Sequence, residues 1–277
     1  MWAREPPATP AADGSVSSDL RPPIGARVEG CVAGAIVPHA PVLLPPVSGD
    51  ANAPRTAEVR SAIAGLEFED IDAIVLLSPH GVETGVYRTT AGSLEAFGLP
   101  GIRATHPTDD ETVGELSSTW RRPILDGRVD HGVLVPLLCM CPSVPMVATS
   151  LEEKRSFDRP SMEESAAEGR RFAEALGALR GRRLALVASC NTSAGLSPRA
   201  PLTEIEEAVE VEERLVGDLG RGRLSGALAV ELGVAGSCAA GTLAAFAAAF
   251  AGTDIQLRAH DAPFGVGYLV ATAARGS

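Results

Sequence analysis

Three short stretches of nearly uninterrupted apolar residues constrain this chain most: CVAGAIV at 31–37, IDAIVLLS at 71–78 and RLALVAS at 183–189. A strand with one wet face alternates apolar and polar side chains, whereas a strand apolar throughout is covered on both faces. Gly30 and Pro38 bound the first run, and Pro79 stops the second. Between the runs the spacing turns helical. Val59, Ile63 and Leu66 share one face of a predicted helix over 54–67. Further helices are predicted over 109–120, with Thr108 as N-cap, and over 160–179, with Ser161 and Glu164 as a capping box. Two more follow, over 203–219 with an acidic solvated face and over 239–250 with almost no polar face at all. Shorter apolar segments at 132–139, interrupted by Pro136, at 144–150 and at 266–272 read as strands, and 86–96 as an irregular strand or hairpin. Strands alternating with helices imply α/β layers around a central sheet.

With 277 residues, 45% of them hydrophobic, the chain can bury a full core without disulfide staples. Its formal net charge of −11 repels phosphate backbones, and 4% aromatic content leaves few stacking platforms, so no nucleic-acid partner is expected. No window of 18 apolar residues escapes a charge or a Pro/Gly break, so no membrane span is expected either. Residues 1–29 are rich in Pro, Ala and Ser, lack an apolar signal region, and read as a disordered extension. The five cysteines (Cys31, Cys139, Cys141, Cys190, Cys238) are odd in number and lack C-x-x-C spacing, which suits a reduced, cytoplasmic protein.

Three of the five histidines share one context. His39 follows a strand in IVPHAP, His80 follows a strand in LLSPHG, and His131 sits before an apolar run in VDHGVLVPL. Ligands of open α/β sheets bind in the crevice at strand ends, and imidazole is both the commonest metal ligand and the acid/base suited to neutral pH. A loop-capping histidine is the plainer reading of each alone. His106 and His260 lie in sequences that read as loops, where a structural or solvent-exposed role is expected.

The ordered series IVPHAPVLLPPV, LLSPHG, DHGVLVPLL, VASCNTSAGLSPRAP and APFGVGYLVA resembles the class III extradiol ring-cleavage dioxygenases, catalytic B subunit (LigB-like), and the related Memo family. The matches run over 36–271. The resemblance implies a single α/β domain over 30–277, a central mixed sheet flanked by helices, and a metal held in a cleft at the sheet edge. His39 and His80 would be metal ligands, and His131 a catalytic acid/base. The third ligand would come from ELGVAGSCAAGTL, where Cys238 matches the Memo pattern best and Glu231 stands seven residues earlier. Fe(II) goes with dioxygenase chemistry on a small aromatic substrate, while a set of two histidines and a cysteine also suits zinc or copper. Two positions depart from the family: the S-G-D-L-S-H motif reads Ser189-Cys190-Asn191-Thr192-Ser193-Ala194 here, replacing the aspartate and the last histidine. The resemblance makes an extradiol-type dioxygenase the first expectation. A catalytically degenerate Memo-like binding protein, with or without metal, and a zinc-dependent hydrolase are the alternatives. A homo-oligomer is compatible with each.

Overall fold

The three apolar runs become neighbouring inner strands of one sheet. A computed structural model describes residues 30–275; the expected disordered extension at 1–29 lies outside them. The strands are β1 (Gly30–Val37), β2 (Ala73–Gly81), β3 (Gly85–Tyr87), β4 (Thr90–Leu94), β5 (Leu99–His106), β6 (Ile124–Leu125), β7 (Met146–Glu152), β8 (Arg183–Ser189), β9 (Ile255–Asp261) and β10 (Tyr268–Ala274). The helices are α1 (Pro45–Asn52), α2 (Ala57–Ala64), α3 (Asp110–Trp120), α4 (His131–Met140), α5 (Arg159–Ala178), α6 (Glu206–Leu219), α7 (Gly226–Val234) and α8 (Ala240–Ala249). Eight strands form a mixed sheet in the order β6-β3-β7-β2-β8-β1-β10-β9, and β4 pairs β5 separately. Among the described residues this is one α/β domain, with helices on both faces of the sheet.

β7, β2, β8 and β1 run parallel, which puts their carboxyl ends on one edge. Alternate residues of each strand serve opposite layers. Val75, Leu77, Leu184 and Leu186 pack toward α3, α5, α6, α7 and α8, whereas Ile74, Leu76, Ala185 and Val187 pack toward α2 and α4. Both sides are dry, which explains runs without polar alternation.

The segment 132–139, predicted as a strand, is the helix α4. An all-apolar run carries no period that separates a buried strand from a buried helix. Asp130 decides the matter, because its Oδ1 accepts the Gly132 N–H at 2.7 Å and caps the helix start. His131 thus opens a helix rather than preceding a strand. The caps of two other helices also differ from expectation. Asp109, not Thr108, caps α3 by accepting the Thr112 N–H, and the Thr108 hydroxyl instead accepts the Thr90 N–H. Asp158, not Ser161, caps α5, and Glu164 reaches outward to Lys154. In each case an Asp near the expected cap, one residue after Thr108 and three before Ser161, offers a carboxylate that competes well with a hydroxyl for the first free N–H groups. The predicted helix over 203–219 begins later, at Glu206, and the predicted strand at 266–272 begins at Tyr268.

His106 and His260 stand in strands, not loops: His106 ends β5 and shares a hydrogen bond with the Val144 carbonyl, and His260 in β9 meets Glu212 at 2.7 Å. Glu212 is almost fully buried and also accepts from the Thr192 hydroxyl, so it ties α6 to the loop that follows β8. No helix among the described residues is long and apolar enough to cross a membrane.

Candidate metal centre

β8 lies between β1 and β2, and its last residue, Ser189, stands level with Val37 at the end of β1. His39 follows β1 as expected, whereas β2 does not stop at Pro79 but runs on to Gly81, so His80 lies within the strand, one residue before its end; the two imidazoles converge over the end of β8. Their Nε2 atoms are 3.0 Å apart across 41 positions of sequence. His131 closes the group. Its ring centroid is 4.3 Å from that of His80 and 5.4 Å from that of His39, and one ligand nitrogen from each ring falls within 4.8 Å of the others. Cys238 flanks the trio, with Sγ 3.5 Å from His39 Nε2. All four residues singled out in the sequence therefore meet in one place. Glu231 does not join them. It lies on α7, pairs with Arg214, and does not line the cavity.

Ser78 brings His131 to His80. Its hydroxyl donates to Asp130 Oδ1 at 2.6 Å and accepts the His80 N–H, joining the end of β2 to the cap of α4. Gly132 is required for this approach, since a Cβ there would lie 2.2 Å from Ser78 Oγ. Cys238 is held by its neighbour Ser237, whose hydroxyl donates to the Asn191 carbonyl and accepts the Ala239 N–H. Asn191 in turn accepts the His39 N–H through Oδ1.

The tautomer of His39 follows from Pro136. In α4 the carbonyl of Gly132 would take the N–H of residue 136, but proline has none. The Ser189 hydroxyl supplies the missing donor at 2.6 Å. With its proton committed, Ser189 Oγ can only accept from His39 Nδ1, 2.8 Å away. Nδ1 carries the hydrogen, and the lone pair on Nε2 points at the cluster. Glu153 does the same for His80, with its Oε1 2.7 Å from Nδ1. A carboxylate or hydroxyl behind each imidazole is the usual arrangement of metal-ligating histidines. Two such lone pairs facing one another at 3.0 Å repel unless a cation lies between them, either a proton or a metal ion.

The electrostatics fit that account. Burial, then the neighbouring His80 and His131, holds the pKa of His39 well below its ordinary 6.5. His131 is lowered to about 3 by burial and by His80. Burial opposes charge on His80 too, but Cys238 and Glu153 outweigh it and push its pKa up to about 9. The metal-free protein therefore keeps one proton in the cluster, on His80. Below about pH 6.5 the unfolded chain takes up protons that His39 and His131 refuse, so stability rises with pH. From about 6.5 to about 9 the folded protein holds a proton that the unfolded chain has released, so stability falls as pH rises. Chemical denaturation of metal-free protein is expected to show a stability maximum near pH 6.5; a monotonic rise from pH 6 to 9 would contradict it.

Ser189→Ala removes the group that orients His39. Metal affinity is expected to fall about 10- to 100-fold, while the fold is retained because the lost hydroxyl is small. Competitive titration against a metallochromic chelator measures this, and unchanged affinity would contradict the tautomer assignment.

The cluster forms the floor of a cavity of about 380 Å3, lined above it by Phe97, Phe157, Met162, Pro201 and Leu202. Phe97, in the link between β4 and β5, meets the His131 ring edge-on at 4.9 Å. Asn191 and Ala194, the two departures from the family motif, both line this cavity. Ser189, Pro136, Glu153 and Phe97 were not among the residues singled out in the sequence. Glu153 and Phe97 reach the site from a strand end and a hairpin link, and neither carries a local motif.

Fold and site thus define an α/β protein whose His39, His80 and His131 can hold a metal ion. No family model matches the chain, and no curated protein matches it. Among solved structures it is similar to the uncharacterized protein JW3007 from Escherichia coli K12, at 18% identity and a TM-score of 0.56, over 88% of this chain and 100% of that one. At that identity the likeness shows the fold.

Proposed function

We propose that the protein is a metal-dependent enzyme of the extradiol dioxygenase type, acting with Fe(II) on a small aromatic diol. The observation that carries this reading is the pair of imidazole lone pairs of His39 and His80, aimed at one point on the floor of a largely apolar cavity of about 380 Å3, roomy enough for an aromatic ring. Neutral imidazoles suit iron, zinc and copper, and a site with few protein ligands leaves open positions. Fe(II), when bound, supplies coordination for the two diol oxygens and for dioxygen. The chain's own residues do the rest. Phe97, Phe157 and Met162 exclude water and flank a ring. Burial and the charge on His80 keep His131 neutral at pH 7, so it stands in the acid/base position the resemblance gives it as an uncharged imidazole able to hydrogen-bond a substrate hydroxyl. Ala194 lines the wall where the family places a second histidine, so one proton-transfer group is missing and slow turnover is expected. The five free cysteines support a cytoplasmic location.

Oxygen uptake by Fe(II)-loaded protein across a catechol panel tests this. Weak turnover is expected, with His131→Ala lowering it about 10²- to 10⁴-fold and Ala194→His raising it. No uptake by wild type or by Ala194→His would overturn the reading. Metal loss from His131→Ala would move His131 into the ligand set. A second reading, a zinc-dependent hydrolase, is favoured by the Cys238 sulfur beside His39, since histidine with cysteine is a catalytic-zinc ligand set. Cleavage of an activated ester by Zn(II)-loaded protein would support it.

A further inference from the structure

Part of the cover over the cavity floor is an exposed loop. His39 is 1% exposed and the His80 side chain 13%, whereas Phe97, whose ring rests edge-on against His131, is 48% exposed. Phe97 belongs to a four-residue tip, Glu95 to Gly98, that joins β4 to β5, and every residue of that tip is exposed. β4 and β5 form a two-stranded sheet of their own, outside the eight-stranded one. Leu94, fully buried, pairs with Leu99 and closes the neck just below the tip. Lower down, the stem is fixed to the body: the Thr90 hydroxyl donates to the Met146 carbonyl, and the Val129 N–H to the Ala91 carbonyl.

The tip is held more lightly than its stem. The Gly98 N–H donates back to the Glu95 carbonyl at 2.9 Å, a bond that travels with the tip. Gly98 has φ +73°, and a Cβ there would meet nothing within 4 Å, so this position stands in open space and carries the residue that crosses most freely between backbone regions. An ion pair ties the tip to the loop before α4, Glu95 to Arg128 Nη1 at 3.1 Å, with the two side chains 67% and 74% exposed. Pairs that exposed are weak and are screened by salt. A second attachment is the edge-on contact of Phe97 with His131. An exposed loop with few buried contacts, carried on a rigid stem, is the kind of segment that opens locally while the fold stays intact.

We propose that residues 95–98 form a gate over the cavity. With Phe97 down on His131 and Glu95 latched to Arg128, the floor is closed to entering molecules, and the tip swings about Gly98 to admit them. Its range is the four residues above the Leu94–Leu99 pair, so the stem stays in place. The gate acts on whatever enters the cavity and does not depend on a metal or on the reaction assigned to the site.

Cys238, beside His39 on the cavity floor, reports the opening in the metal-free full chain. The rate of its alkylation by iodoacetamide, an uncharged reagent, is read by peptide mass spectrometry. Two other thiols serve as internal controls: the exposed Cys141, outside the cavity, reports on the reagent, and the fully buried Cys190 reports on unfolding. A gate whose open state is populated at about 10% or less slows entry about tenfold or more. Phe97→Ala is therefore expected to speed Cys238 about tenfold, and Phe97→Leu less, with Cys141 and Cys190 unchanged. Glu95→Gln, or about 0.5 M NaCl on wild type, keeps the ring and removes the latch. Each is expected to speed Cys238 by up to about fivefold, the most that an exposed pair of this kind contributes, and salt should add nothing in Glu95→Gln. The salt arm uses wild type, so it is immune to misfolding of a variant. Acceleration by Phe97→Ala with none from Glu95→Gln or salt would mean a fixed lip and would overturn the proposal. So would an unchanged Cys238 rate throughout, or Cys190 reacting in step with Cys238, which would place the opening in the fold as a whole.

Discussion

Alanine in place of His39 or His80 is expected to abolish stoichiometric metal binding, with affinity falling beyond the roughly 100-fold limit typical of losing only an orienting group. Each histidine supplies one of the two lone pairs that face each other at 3.0 Å. Glu231, which pairs with Arg214, and Ala194, which offers no donor, cannot replace either; His131 and Cys238 remain, but the second of the two facing lone pairs is gone. The two variants should differ in stability. His39 is buried and neutral, so its loss leaves a cavity and an unused Ser189 acceptor. His80 carries the cluster's proton in metal-free protein, so its loss removes the pH dependence between about 6.5 and about 9. Equilibrium dialysis reads the first effect, and denaturation at several pH values the second. Wild-type metal affinity in either variant would contradict the site.

Valine at Gly169 is expected to cost about 3 kcal/mol or more, lowering the melting temperature by roughly 6–12 °C. α5 and α8 touch backbone to backbone here, and even a Cβ at Gly169 would lie 1.9 Å from the Gly241 carbonyl oxygen. The facing Gly241 has no slack, since its own Cβ would meet Leu151 at 2.3 Å and Ser165 Oγ at 2.7 Å. The obstacle is backbone, which cannot rotate away as a side-chain tip can. Because α8 also packs on β8 through Thr242, whose hydroxyl donates to the Ser189 carbonyl, the displacement should loosen the site as well. Thermal unfolding checks this, and a shift under 2 °C would contradict the packing described.

How much of this was legible in the sequence depends on the kind of signal. β1, β2 and β8 were legible because two covered faces demand an apolar run, and a run bounded by glycine or proline has few other readings. The convergence of His39 and His80 followed from their placement at the ends of two such strands. α4 was not legible from the same logic: a helix buried on every side is as uniformly apolar as a buried strand, and Pro136 suggests interruption in either. Its signal is Asp130, two residues before Gly132. β9 left a fainter trace, the alternation of Ile255, Leu257 and Ala259 against Gln256 and Arg258. α7 is short and nearly all apolar, and its mark is Ser225, whose hydroxyl accepts the Leu228 N–H. In the site, residue identities gave the imidazoles but not what orients them. Ser189 acts on His39 only because Pro136 leaves a carbonyl free 57 positions away in sequence from that hydroxyl, and no local pattern encodes such a relation.

Elemental analysis of anaerobically purified protein, paired with X-ray absorption at the edge of the metal found, tests the central claim most directly. The account predicts close to one first-row transition metal per chain, bound by at least two imidazole nitrogens at about 2.0–2.1 Å. Protein that contains none, and takes up none when offered Fe(II), Zn(II) or Cu(II), would contradict it.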